Sequence, residues 1–204
     1  MPIPVVADAD VLFAGTTRAL LINMDYQGLI HLHWSPLILD EMSRALVAMN
    51  RKPDLDSAKE NEARMDEAIP SASLPVRDVQ ARYKAVHKAV NSAKDTHVAA
   101  AAYLVLDDNY YDGTMAVALV SKNITDYNVP ALAAMGVQVS KPDAFLLAQL
   151  QLNPEGVATA FRNLRLSLAS QPKPKDLLVR LVKDGQAQTA AALELLEQQG
   201  RVQL

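Results

Sequence analysis

Cysteine is absent from all 204 residues, which excludes disulfides, thiolate zinc sites, iron–sulfur clusters and cysteine nucleophiles. No apolar run reaches the roughly 18 residues that span a bilayer, and Met1-Pro-Ile-Pro-Val-Val lacks the basic leader and cleavage site of a signal peptide. A cytoplasmic protein with no membrane association is the expectation. Glycine-rich phosphate loops and the G-x-S-x-G elbow are missing too, so nucleotide-binding and serine-hydrolase readings lose their main warrant. There is no bulk excess of basic charge either. Residues 1–149 hold 13 Lys and Arg against 18 Asp and Glu, and residues 150–204 hold 7 against 5. A protein that binds nucleic acid through overall positive charge is disfavoured, while a local cationic track beside an acidic site is not.

What is present suits one principal core with an appendage. Half the residues are hydrophobic and 21% are charged, ordinary values for a globular chain. Residues 3–7 form a short apolar run ending in Asp8-Ala9-Asp10, and residues 16–27 have helical spacing closed by Gly28. Residues 29–34 read as a second strand, after which Ser35-Pro36 supplies an N-cap with proline at the first helical position. Residues 50–73 look like an excursion from the core, with an exposed helix over 57–68. Two helical stretches, 79–90 and an alanine-rich 95–106, precede strands at 115–121 and 137–139. Strands alternating with helices define an α/β domain with a central, mostly parallel sheet, expected over residues 1–149. Beyond residue 150 only helical patterns remain, at 154–168 and 174–198, so 150–204 is expected to be a helical C-terminal appendage.

Four carboxylates stand at element ends. Asp8 follows the first strand, Glu41 lies in the helix capped by Ser35, Asp95 opens the alanine-rich helix, and Asp126 follows the strand at 115–121. Ile38, Met42, Ala45, Leu46 and Met49 define the expected buried face of the Ser35 helix, and Glu41 lies at its edge. Asp95 lines up with Val98, Ala99, Ala102 and Leu106, where the helix dipole favours an anion. Asp8 and Asp126 leave the carboxyl ends of strands, where open α/β sheets place ligands. If all four converge, like charges about 4 Å apart repel by roughly 4 kcal/mol at an effective dielectric near 20. Bound cations or protonation must relieve that repulsion. Oxygen-only donors match Mg²⁺ or Mn²⁺, and metal-assisted phosphoryl transfer follows as the expected chemistry.

The residues also carry a resemblance. Val5-Val-Ala-Asp8-Ala-Asp-Val-Leu-Phe13, Trp34-Ser-Pro-Leu-Ile-Leu-Asp-Glu41, Lys94-Asp-Thr-His-Val-Ala-Ala-Ala-Ala102 and Ser121-Lys-Asn-Ile-Thr-Asp126-Tyr127 resemble the successive signatures of PIN-domain nucleases. Within them the chain is most similar to VapC-type toxins, the ribonuclease halves of toxin–antitoxin pairs, over about residues 3–148. The resemblance implies a three-layer α/β/α PIN-like domain in which Asp8, Glu41, Asp95 and Asp126 form a catalytic metal site for Mg²⁺ or Mn²⁺. It implies polar support or substrate contact from Ser121 and Asn123, with Lys94 and Lys122 placed beside motif acids to meet backbone phosphate. It further implies an RNA substrate, an inhibitory antitoxin partner and a homodimer. Asp10 stands where the family often has Asn, which adds a fifth carboxylate. The tail has no counterpart in a minimal PIN domain, although some larger VapC-like toxins carry a helical extension.

Two other readings compete. Asp8-Ala-Asp10 after a strand resembles the nucleophile motif of haloacid-dehalogenase-like phosphatases, with Asp107-Asp108 as the later acidic pair, but Val11-Leu12 lacks the expected threonine. A PIN-like interaction module that has lost catalysis is the other, and the intact set of four acids argues against it. His31 and His33 share one face of a strand but have only His87 and His97 to join them, so structural histidines are expected rather than zinc ligands.

Overall fold

A computed structural model describes residues 2–204. Along the chain, β1 (Ile3–Ala7) leads into the short α1 (Ala9–Phe13), and α2 (Gly15–Tyr26) stops near Gly28, whose φ of 65° lies in the left-handed region glycine tolerates. Then come β2 (Ile30–His33), α3 (Pro36–Ala48), α4 (Leu55–Ala68), α5 (Val76–Ala81), α6 (Tyr83–Val86), α7 (Thr96–Asp107), β3 (Val117–Val120), α8 (Val129–Ala134) and β4 (Val137–Ser140). The chain closes with α9 (Pro142–Leu152), α10 (Pro154–Ser167), α11 (Pro174–Lys183) and α12 (Ala187–Gln198). Two compact units result, one from residues 3–13 and 31–140, the other from residues 14–30 and 141–204 with residue 2. The division expected after residue 149 falls inside α9, whose start at Pro142 the sequence pattern did not mark. No helix among the described residues is long and apolar enough to cross a membrane.

The first unit is a four-stranded sheet in the order β2-β1-β3-β4 flanked by helices, the expected three-layer α/β/α class. β1 pairs in parallel with β3, Val5 opposite Ala118 and Ala7 opposite Val120, and β3 pairs in parallel with β4. Every residue of β3 is buried, as expected of a central parallel strand covered on both faces. Against it lies α7, whose Val98, Ala99 and Ala102 are fully buried and whose Leu106 is partly covered. Small side chains let this helix approach the sheet closely. Ala100 and Ala101, on the other side of α7, are buried too, because α5 and α6 pack over it. The single helix expected over 79–90 is these two short pieces, separated at Arg82.

Ser35 caps α3 as expected, its hydroxyl accepting from the Ile38 amide at 3.4 Å. The 50–73 segment is no excursion. α4 packs along α3 with Ala58 and Met65 buried, Ser43 donates to Glu62, and the Trp34 indole donates to Asp66 at 2.8 Å. Its polar composition reflects one solvated face, not detachment from the core.

His33 and His31 are structural, as expected. His33 Nδ1 lies 3.3 Å from the Ala72 carbonyl and Nε2 lies 2.8 Å from the Tyr111 hydroxyl. A carbonyl can only accept, so Nδ1 carries the proton and Nε2 accepts from Tyr111. The neutral ring is thereby satisfied, while His31 stacks on Tyr111 with centroids 4.0 Å apart.

The second unit joins α2 to the C-terminal helices. Ala14 provides no side-chain cap to α2, and the carboxylate of Asp184 takes its place, accepting from the Thr16 and Thr17 amides at 2.9 Å each. Asp143 does the same for α12, accepting from the Gln188 amide at 3.0 Å and the Thr189 amide at 2.9 Å. Gly156 in α10 leaves room for Leu29: a Cβ there would stand 2.7 Å from the leucine side chain. α11 and α12 part at Gly185, whose φ is 98°.

Two predictions follow from these contacts. Asp184→Ala removes a remote cap and should lower stability in urea unfolding by about 1–3 kcal/mol; a loss below about 0.3 kcal/mol would mean that water caps α2 equally well. His33 should also make the protein acid-sensitive. Burial, with the field of His31, lowers its pKa from 6.5 to about 4, so the unfolded chain takes up the proton first as pH falls. Stability present above pH 6.5 is lost progressively down to about pH 4, by about 3 kcal/mol in all. The stability gap between wild type and His33→Gln should therefore shrink between pH 7 and pH 4, and a constant gap would contradict the assignment.

Candidate acidic site

The first unit gathers its acids at the carboxyl ends of the strands. Asp8 follows β1 directly and is buried, only 6% exposed. The turn of α1 immediately after it aims the Ala9 amide back at the carboxylate, Oδ1 accepting at 2.7 Å, while Oδ2 accepts from the Tyr127 hydroxyl at 2.9 Å. Ser121 adds a hydrogen bond from the end of β3. Burial nonetheless pushes the Asp8 pKa up, because these donors do not balance the loss of hydration, to which the negative field of Glu41 adds. Burial also raises the Tyr127 phenol, with Asp8 adding to the shift, so the ring stays protonated and donates.

Asp10, two residues further, accepts from the Lys122 amide with both oxygens, at 3.2 and 3.0 Å. Burial, then the charge of Asp8, raises its pKa to about 6. Asp10 therefore belongs to the site. Glu41 faces it from α3 and is half exposed, its carboxylate 3.3 Å from His97 Nε2. The contact lacks hydrogen-bond alignment, so it acts as an ion pair when the ring is protonated. His97 Nδ1 is 2.7 Å from the Lys94 carbonyl and must donate to it. Burial opposes charging of His97, but Glu41 and that carbonyl outweigh it and its pKa is raised. The Glu41 pKa is correspondingly lowered, first by His97 and also by the field of Lys94.

Asp95 precedes α7 as its N-cap residue, without a side-chain cap bond, and its charge reaches Tyr127. At Asp126 the carboxylate accepts from the Asn123 amide side chain, and the carbonyl accepts from the Asn91 amide at 2.7 Å. Ser121 is fully buried, which puts it beneath Asp8 and not on a substrate surface. Lys122, Asn123 and Lys94 are exposed. Among the described residues no three His, Asp or Glu side chains are grouped closely enough to hold one metal ion. No local sequence signal marks Tyr127 or His97 as part of the site. Their roles as donor to Asp8 and partner to Glu41 depend on residues 119 and 56 positions away, which no local pattern reports.

An open cavity of about 280 Å³ adjoins the acids, lined by Ala9, Asp10, Phe13, Glu41, Ala45, Met49 and Lys122. This corrects the expected inner face of α3. Its buried residues are Ile38, Leu39, Met42, Ser43 and Leu46, whereas Ala45 is only partly covered and Met49 is 66% exposed.

Fold and site together describe an α/β domain with an open acidic crevice, in a chain that also has a helical C-terminal region. Residues 142–195 of that region match the family model described as the VapC50 C-terminal domain. The match supports a VapC-type protein with a C-terminal domain. No curated protein and no solved structure matches the chain.

Tyr127→Phe keeps the ring and removes one donor to Asp8. The Asp8 titration midpoint, followed by carboxyl ¹³C NMR, should rise by about one pH unit. An unmoved midpoint would show that the hydroxyl does not stabilise the charged carboxylate.

Proposed function

We propose that the protein is the toxin of a toxin–antitoxin pair, an endoribonuclease that hydrolyses RNA phosphodiester bonds with Mg²⁺ or Mn²⁺. The observation that carries this reading is an open cavity at the carboxyl ends of the strands lined by Asp10 and Glu41, with the buried Asp8 close enough to both for their charges to be felt. The C-terminal match supports the toxin assignment. With it come a cognate antitoxin and the pairing of two copies.

The donor set suits a hard cation in two respects. It is made only of carboxylate oxygens, and burial together with mutual repulsion raises Asp8 and Asp10, a potential that positive charge would relieve. Mg²⁺ keeps several waters and takes one or two carboxylates, so it does not require three side chains on one point. Asp8, Glu41, Asp95 and Asp126 are the residues proposed to hold it. When bound, Mg²⁺ or Mn²⁺ supplies Lewis-acid stabilisation of developing negative charge and makes water a better nucleophile.

The chain's own residues do the positioning. Tyr127, Ser121 and the Ala9 amide fix the orientation of Asp8, and His97 steers Glu41. Lys94 and Lys122 offer positive charge to the RNA backbone beside an otherwise repulsive crevice. No side chain serves as nucleophile. The phosphatase alternative lacks its second acidic pair, since Asp107 and Asp108 are engaged by Arg82.

The purified protein should cleave single-stranded RNA with Mg²⁺ or Mn²⁺, and Asp8→Asn and Asp95→Asn should each slow cleavage on the order of 100-fold or more while the circular dichroism spectrum is unchanged. Wild-type rates in both variants, or cleavage that survives excess EDTA, would remove this mechanism.

A further inference from the structure

Met49 is a large apolar residue on an apolar stripe, yet it is 66% exposed. Glu41, Ala45 and Met49 recur at i, i+4 and i+8, one line along α3 roughly 12 Å long. All three line the cavity beside the acids, with Phe13 of α1 and Lys122. The stripe therefore joins a charged end to an apolar end. We propose that the apolar end, formed by Phe13, Ala45 and Met49, is a nucleobase subsite that seats one unpaired base of single-stranded RNA beside the phosphate to be cut.

The claim rests on the nuclease reading and adds the part of the substrate that this surface recognises. A ligand that suits this lining is apolar at one end and charged at the other, as a nucleotide is. The 280 Å³ cavity has the volume of roughly nine water molecules, and a base has roughly ten non-hydrogen atoms. A helix of a partner protein would need far more surface, on the order of 800 Å² per side for a stable interface. Duplex RNA keeps its bases stacked, so only a single strand can offer one. Phe13, Ala45 and Met49 carry no side-chain hydrogen-bonding groups that would read base edges, so the subsite tolerates any base and selects single strands by stacking.

The test uses the full chain and a short fluorescent single-stranded RNA, with an abasic residue placed at each position in turn. Anisotropy measures binding, and cleavage is followed separately. One abasic position should weaken binding about tenfold. Ala45→Phe, which fills the trough, should weaken binding of intact RNA by the same factor and leave that abasic RNA unaffected. Met49→Ala should shift binding in the same direction by less. A flat abasic scan, or Ala45→Phe binding intact and abasic RNA in the wild-type ratio, overturns the subsite while normal cleavage leaves the nuclease intact. Ala45→Phe that loses only a protein partner, with RNA binding kept, also overturns it. Base-dependent binding without cleavage would sustain the subsite and defeat the nuclease reading; no RNA binding would defeat both.

Discussion

A carboxylate taken almost wholly out of water at the end of β1 is the constraint on which the rest of the site depends. Leaving Asp8 there without partners would cost several kcal/mol. The structure answers with donors from three places: the first amide of α1, the hydroxyl of Ser121 at the end of β3, and the phenol of Tyr127. Two of the three arrive only because β1 and β3 pair in parallel, with Asp8 continuing the ladder through its amide to the Val120 carbonyl at 2.9 Å. The compensation is incomplete, and that imbalance is useful. It leaves a negative field that reaches Asp10 and favours the charged form of His97.

α3 and α7 translate this field into a shaped surface. α7 is covered by sheet on one side and by α5 and α6 on the other, so its start, carrying Lys94, Asp95 and His97, has little freedom. His97 uses its backbone contact at Lys94 to settle its tautomer and turns the other nitrogen to Glu41. α3 buries one face against α1 and α4 and leaves the line from Glu41 to Met49 open. Charge and apolar surface thus lie on one continuous strip, an arrangement suited to a ligand that is itself charged at one end and apolar at the other.

The second unit shows a different use of carboxylates. Asp184 and Asp143 each satisfy orphan amides at the start of a helix remote in sequence, α2 and α12 respectively. Such a cap is worth about 1 kcal/mol on its own. It also specifies which helix ends belong together, since the favourable dipole interaction exists only in that pairing. Residues 14–30 therefore belong by packing and capping with residues 141–204, although they lie between β1 and β2 in the chain. The matched segment 142–195 is one part of this unit.

Much of the architecture was legible because its causes are local. Apolar runs at β1 and β3, the Ser35-Pro36 cap, the Gly28 stop and the alternation of strand with helix each follow from a few adjacent residues, and they suffice for the α/β class. The positions of Asp8, Glu41, Asp95 and Asp126 at element ends were readable for the same reason. Tertiary structure alone decided which acids feel one another, that Asp10 joins them through the Lys122 amide, and that Ser121 lies beneath Asp8. It also decided which edge of α3 stays open and which helices share a unit. Periodicity reports the face of an element but not its neighbour, and burial, hydrogen bonding and charge coupling are properties of neighbours.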